Sequence, residues 1–227
     1  MTVVLAFDTA TSATVACAMA PGGGLAERRD DPPPGGRPRH VQRLVALCEE
    51  ALTEIGAGWD DVTRIGVGVG PGTFTGLRIG VATARALATA LPAEVVPVSS
   101  LEALALGAAP AEDVLAVIDA RRGEAFAAAF RSGHRQEPAA ALAPDALAAL
   151  AGPGRIAVGD GAVRYRAALA DAGIAVPPDA DARHRVAGGP LARLALAGAP
   201  VPVATLVPDY VRLPDAELHR RRVAADP

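Results

Sequence analysis

Val3-Val4-Leu5-Ala6-Phe7-Asp8-Thr9-Ala10-Thr11-Ser12, with Thr14 to Met19 behind it, is the stretch that decides the fold. Its unbroken apolar run predicts a central strand buried on both faces. Asp8 ends the run, residues 9–12 form a polar turn, and Thr14 to Met19 reads as the returning strand. The pattern comes back half a chain later, as Val114-Leu115-Ala116-Val117-Ile118-Asp119, a charged turn, and Glu124 to Phe130. At a constant offset of 111 residues Asp8 falls on Asp119, Val15 on Phe126, Cys17 on Ala128 and Met19 on Phe130. A strand–Asp–turn–strand unit recurring once predicts a duplicated, two-lobe α/β protein.

Between the two units the period changes. Val41, Leu44, Val45, Cys48, Ala51, Leu52 and Ile55 fall at helical spacing on one apolar face, with His40 at the helix start. Arg64 to Val69 reads as a strand and runs into Gly70-Pro71-Gly72-Thr73-Phe74-Thr75-Gly76. A second helix follows from about Thr75 to Leu91, closed by Pro92. Val95 to Val98 is a strand, and Ser99-Ser100 supplies an N-cap for a helix from Leu101. Beyond residue 131 the signal thins to helices over Pro144–Leu150, Tyr165–Ala172 and Pro190–Ala197 and a strand over Arg155–Val158. Val207 to Arg212 reads as a last packed segment before an Arg-rich tail. The division expected is an N-terminal lobe over 1–100, a smaller lobe over 101–206, and a C-terminal segment over 207–227.

Aromatic residues make up only 3% of the chain, so the core must be built from Ala, Val and Leu. All the basic residues are Arg and none is Lys, which removes a P-loop lysine, Schiff-base chemistry and any lysine base. A net charge of −3 lacks the basic excess of an autonomous nucleic-acid binder, although a local Arg cluster could still touch a phosphate backbone. Cys17 and Cys48 lie in apolar patterns and imply no disulfide framework. The opening reads as a strand and not a secretion signal, and no apolar run spans a bilayer, so a cytoplasmic protein is expected.

Two motifs leave alternatives open. Asp8-Thr9-Ala10-Thr11 at a strand end either cradles a phosphate, with Asp8 holding hydrated Mg²⁺, or caps a hairpin as an Asx/ST turn. Asp119 to Glu124 either faces an interlobe cleft or is an exposed, locally ion-paired turn. Gly66 to Gly72 imitates a dinucleotide fingerprint but fails it, because Pro71 stands where the helix should begin. What remains is a Gly-Pro-Gly turn opening onto a helix N-terminus, a generic anion or partner-loop site. A metal pair at His40 would need His at position 44, and that residue is Leu44. No Gly-x-Ser-x-Gly nucleophile occurs.

At these residues the sequence resembles the TsaB (YeaZ) family. The resemblance is carried by Asp8-Thr9-Ala10-Thr11, His40, the block Gly70 to Gly80, Ser99 with Leu101, Ile118 to Glu124, and Tyr210-Val211-Arg212. It implies an actin/Hsp70/sugar-kinase-like (ASKHA) fold and a heterodimer with the catalytic paralogue TsaD, joined by the ATPase TsaE in bacteria. Such a complex transfers threonylcarbamoyl from its adenylate to N6 of the tRNA adenosine next to the anticodon. TsaD holds a metal through a His-x-x-x-His pair, so ATP, Mg²⁺ and metal are expected in partner subunits, and none as a cofactor of this chain.

The family reading makes this chain a scaffold with no catalytic residue and no metal, touching tRNA only through the complex and no membrane. Asp8, Thr9, Thr11 and Asp119 would mark a vestigial nucleotide cleft. The partner surface is expected on the two N-terminal helices, at His40, Leu44, Gly72, Thr73, Phe74, Gly76, Leu77, Gly80 and Ala84. Gly76, Gly80 and Ala84 stand four apart, which permits close helix approach, and self-pairing into a homodimer could compete. The alternative is a stand-alone small ASKHA kinase or ATPase, for which the chain is short and lacks an obvious catalytic carboxylate. A metallopeptidase fails on the absent second His.

Overall fold

The computed structural model describes residues 2–33, 35–108, 113–151 and 154–212. The opening unit forms β1 (Val3–Asp8) and β2 (Thr14–Met19), followed by β3 (Leu25–Asp30). Every residue of β1 and β2 is buried, as their continuous apolar runs require of inner strands covered on both faces. Helix α1 (His40–Glu54), strand β4 (Val62–Gly70), helix α2 (Phe74–Ala90) and strand β5 (Glu94–Ser99) complete the first lobe. Its sheet has the order β3-β2-β1-β4-β5, antiparallel across β1–β3 and parallel across β1, β4 and β5.

Helix α3 (Ser100–Ala108) leads into the second lobe, where β6 (Asp113–Arg121) and β7 (Glu124–Arg131) repeat the opening hairpin. Short strands β8 (His134–Arg135), β9 (Ala140–Leu142) and β10 (Ile156–Val158) join them, with β10 parallel to β6. Helices α4 (Pro144–Ala151), α5 (Asp160–Arg164) and α6 (Arg166–Asp171) lie on the outer face of this sheet. The helix expected over 165–172 is α6; the short α5 before it, parted from α6 at Tyr165, was not expected.

Helix α7 (Gly188–Ala197) does not stay with the second lobe. It returns to lie on β1 and β4 of the first sheet, so close that a Cβ on Gly66 would stand 2.4 Å from the Ala195 methyl. Helices α3 and α7 thus fill the space between the sheets with Leu101, Leu104, Leu191 and Ala195, against Val4, Ala6 and Cys17 on one side and Ala116, Ile118 and Phe126 on the other. A second core lies under α1 and α2, with Leu5, Phe7, Ile65 and Val67 facing Leu44, Leu47, Leu52 and Ala84. Two α/β halves built on the repeated hairpin are therefore present, with the inner helical layer shared between them.

The repeat departs from a constant offset. Val15, Cys17 and Met19 face the inter-sheet core, and so do Phe126, Ala128 and Phe130, as an offset of 111 requires. The leading strands disagree: Ala6 faces that core, whereas its counterpart Val117 faces the outer helices. The cross-strand pairs show the same slip, with Asp8 opposite Val15 but Asp119 opposite Ala125. A shift of one residue in a strand reverses every side chain.

Candidate functional site

The slip decides what the paired Asp residues can do. Asp8 points into the inter-sheet layer and is only 1% exposed. Its Oδ1 accepts the Ala10 amide at 2.7 Å and its Oδ2 accepts the Ser100 hydroxyl at 2.5 Å. Gly68 makes room for it, since a Cβ there would meet Asp8 Oδ2 at 1.8 Å. Burial pushes the Asp8 pKa up, opposed by the Ser100 and Ala10 hydrogen bonds. Asp119 points the other way, toward α5. Its Oδ1 accepts the Arg121 amide at 2.9 Å, and its Oδ2 lies 3.2 Å from Arg121 and 3.6 Å from Arg164. Its own amide donates to Asp160 at 3.0 Å. The two carboxylates, expected together at one cleft, point toward different layers.

Loop 9–13 is riveted to the start of α2. Thr9 is buried and donates to the Gly76 carbonyl at 2.7 Å, while the Thr73 amide donates to the Ala10 carbonyl at 2.7 Å. A Cβ on Gly76 would stand 2.0 Å from the Thr9 carbonyl oxygen, and one on Gly80 2.6 Å from Thr9 Oγ1. The Asp8 loop and the Gly70–Gly80 block, separate in sequence, are therefore one close-packed joint. Thr11 instead borders a crevice of about 90 Å³ with Ser12, Arg29, Asp160, His184 and Arg185. That volume lies well below the roughly 300–1,000 Å³ of small-molecule pockets.

His40 is 4% exposed and bonded through Nδ1 to Thr14 Oγ1 at 2.8 Å. Its buried Nε2 has no hydrogen-bond partner among the described residues. Burial lowers its pKa, opposed by the Thr11 carbonyl and by Asp30. His40 thus pins α1 to the loop. His184 is also buried, between the Gly159 amide and the Pro177 carbonyl at 3.1 Å each, and His219 lies outside the described residues. Among the described residues no group of three His, Cys, Asp or Glu is placed to hold a metal.

The expected partner surface needs correction. Leu44, Gly76, Leu77, Gly80 and Ala84 are buried in this chain, because the small stripe of α2 is the side that accepts Thr9 and the sheet. His40 is likewise inward, and Gly72 abuts Ala10. Of the expected set, Phe74 stands out, 43% exposed, with Thr73 partly so. The outer faces of α1 and α2 carry Val41 at 73% and Val45 at 49%, with Arg78, Ala82, Arg85 and Ala86 exposed. The sequence reading placed Val41 and Val45 on the single apolar face of α1, and helical spacing alone does not separate these edge positions from the buried Leu44, Cys48 and Leu52. The late Tyr-x-Arg element joins this region to the second lobe: Tyr210 stacks on Phe74 at 5.2 Å, and Arg212 binds Glu124 at 2.6 Å and the Ala120 carbonyl at 3.0 Å. The Arg-rich tail expected after it lies outside the described residues.

No helix of the described residues is long and apolar enough to cross a membrane. Comparison with known proteins agrees with the fold. A family model described as TsaD, tRNA N6-adenosine threonylcarbamoyltransferase, matches residues 32–166. The tRNA threonylcarbamoyladenosine biosynthesis protein TsaB of Escherichia coli is 37% identical over 114 residues, 47% of this chain, and the match spans about half (49%) of that relative's length. An uncharacterized protein of Mycobacterium tuberculosis is 35% identical over 220 residues, 94% of this chain and 93% of its own. Among solved structures, a Pseudomonas aeruginosa protein described as similar to peptidase YeaZ superposes with a TM-score of 0.77 at 31% identity, over 93% of this chain and 100% of that one. The structure described as YeaZ from the same organism gives 0.75 at 27% identity, over 92% and 100%.

Proposed function

The chain belongs to the TsaB (YeaZ) family, and on that premise we propose that it is a scaffold subunit for threonylcarbamoyl transfer to tRNA adenosine, working with a TsaD homologue and with TsaE. The observation that carries this reading is the loop–helix joint. The groups that a nucleotide or metal would use at the strand end are already committed within the chain: Asp8 to Ser100 and Ala10, Thr9 to Gly76, and His40 to Thr14. Leu44 lies in the core at the place of a second metal-binding His. Transfer chemistry, ATP with Mg²⁺ and the metal then belong to the partners.

The partner face in this reading is the outer side of α1 and α2, centred on Val41, Val45 and Phe74. An apolar strip on two neighbouring helices fits a paralogue offering the matching pair, and a second copy of this chain is its competitor. The test is pull-down of the TsaD homologue with Val45→Arg. A long charged side chain at an exposed position leaves the fold intact and should reduce capture at least tenfold. Undiminished capture would place the interface elsewhere.

A further inference from the structure

Aromatic side chains are scarce in this chain, four Phe, two Tyr and one Trp, and most serve the interior. Phe7, Phe126 and Phe130 are buried, and Trp59 and Tyr165 are half-buried. The two that stay exposed, Phe74 at 43% and Tyr210 at 37%, lie against each other, ring centroids 5.2 Å apart and planes 29° from parallel. The exposed Arg78 sits over the Phe74 ring at 5.1 Å. Stacking has not taken either ring out of water, so apolar area is left for a further contact.

The pair is held from both lobes. Before Tyr210, Leu206 is buried in the core under α1 and α2, and the Asp209 amide donates to the Val69 carbonyl at 2.8 Å. Gly70, at φ 117°, makes room for that crossing, since a Cβ there would stand 3.1 Å from the Asp209 carbonyl oxygen. After Tyr210, Val211 packs on the inter-sheet core and Arg212 binds Glu124 and the Ala120 carbonyl of the second-lobe hairpin. Tyr210 is thus fixed on either side and brought onto Phe74. Aromatic side chains that are already in place lose little freedom on docking, which is why they recur as interface anchors. Phe74 opens α2, so the pair extends the outer face of α1 and α2 onto the C-terminal segment. The charge on α2 decides which partner fits. The helix carries Arg78 and Arg85, both exposed, and no acidic residue. A second copy that set α2 against α2 would bring arginine to arginine, whereas a different protein can offer carboxylates beside an apolar surface.

We propose that Phe74 and Tyr210 form one aromatic anchor for the TsaD homologue, receiving an apolar patch of that partner with a carboxylate in reach of Arg78. The anchor rests on the scaffold role and adds to it a contact on the C-terminal segment, outside the two helices.

The test is nitration of the two tyrosines by tetranitromethane, read by mass spectrometry on the full chain with and without a saturating TsaD homologue. In the free chain Tyr210 should react faster than the half-buried Tyr165. The complex should slow Tyr210 several-fold and leave Tyr165 unchanged. In parallel, the Kd for the TsaD homologue should rise about tenfold for Tyr210→Ala and stay within about twofold of wild type for Tyr210→Phe, which keeps the ring. Phe74→Ala/Tyr210→Ala should lose less than the product of the two single losses, because the rings act as a pair. Tyr210 equally reactive in free chain and complex, or Tyr210→Ala binding like wild type, overturns the proposal. So does protection of Tyr210 that rises with the concentration of this chain and does not change when the partner is added, which would assign the anchor to a second copy. Val45→Arg reports on the helical face separately: capture lost with Val45→Arg but kept with Tyr210→Ala refutes the anchor alone, and no capture by wild type refutes both.

Discussion

Ser100 donates its hydroxyl hydrogen to Asp8 Oδ2 at 2.5 Å, tying the first residue of α3 to the last of β1. The strand-end carboxylate, placed by sequence where a phosphate-binding site would be, is thereby occupied by the chain itself.

Asp8→Ala should cost about 2–3 kcal/mol, because it strands the buried Ser100 hydroxyl and Ala10 amide without an acceptor. Asp8→Asn keeps an acceptor and should cost less than about 1 kcal/mol at pH 7. The sign of its pH dependence follows from the raised pKa. A carboxyl whose pKa is higher folded than unfolded loses stability as pH rises from its unfolded value near 3.8 through its folded one. The Asn variant lacks that loss, so its deficit relative to wild type should be smaller at pH 7 than at pH 4. Urea denaturation at both pH values reads this directly, and an unchanged deficit would mean that Asp8 does not titrate as described.

Gly76→Ala should destabilise by about 2–3 kcal/mol, as the methyl would press on the Thr9 carbonyl, which is backbone and cannot swing aside. Gly80→Arg should fail to fold, and for that reason says nothing about partner binding. Ala82→Arg, on the exposed side of the same helix, should stay within about 0.5 kcal/mol of wild type. Thermal unfolding of the three separates an inward small-residue stripe from an outward one.

His40 has a lowered pKa because burial disfavours the imidazolium. In the unfolded chain it takes up its proton near pH 6.5, before the folded protein does, so folding stability falls as pH drops below that value. His40→Gln removes this contribution. The stability advantage of wild type over His40→Gln should therefore shrink between pH 7.5 and pH 5, and an advantage that grows would show His40 charged in the fold.

Both hairpins and the two long helices were legible in sequence, because long buried runs and helical apolar spacing have few alternatives. The slip between Asp8 and Asp119 was not. Strands such as Val3–Asp8 and Asp113–Arg121 are apolar at nearly every position, so nothing in their composition says which residues face which layer. The stripe Gly76-Gly80-Ala84 posed a similar ambiguity, since small residues suit a partner helix and a buried loop equally well; Thr9 resolves it. The break at Tyr165 has neither Pro nor Gly to announce it. The joint between the Asp8 loop and the Gly70–Gly80 block depends on contacts between residues more than sixty apart, such as Thr9 with Gly76, which periodicity cannot register.

The central claim is that this chain supports threonylcarbamoyl transfer without performing it. The most direct measurement is transfer of the threonylcarbamoyl group to tRNA, using this chain alone, the TsaD and TsaE homologues alone, and all three together. The account predicts turnover only in the full mixture, and its loss when Val45→Arg replaces wild type. Turnover near the typical enzyme value of ~10 s⁻¹ by this chain alone, or full activity without it, would contradict the account.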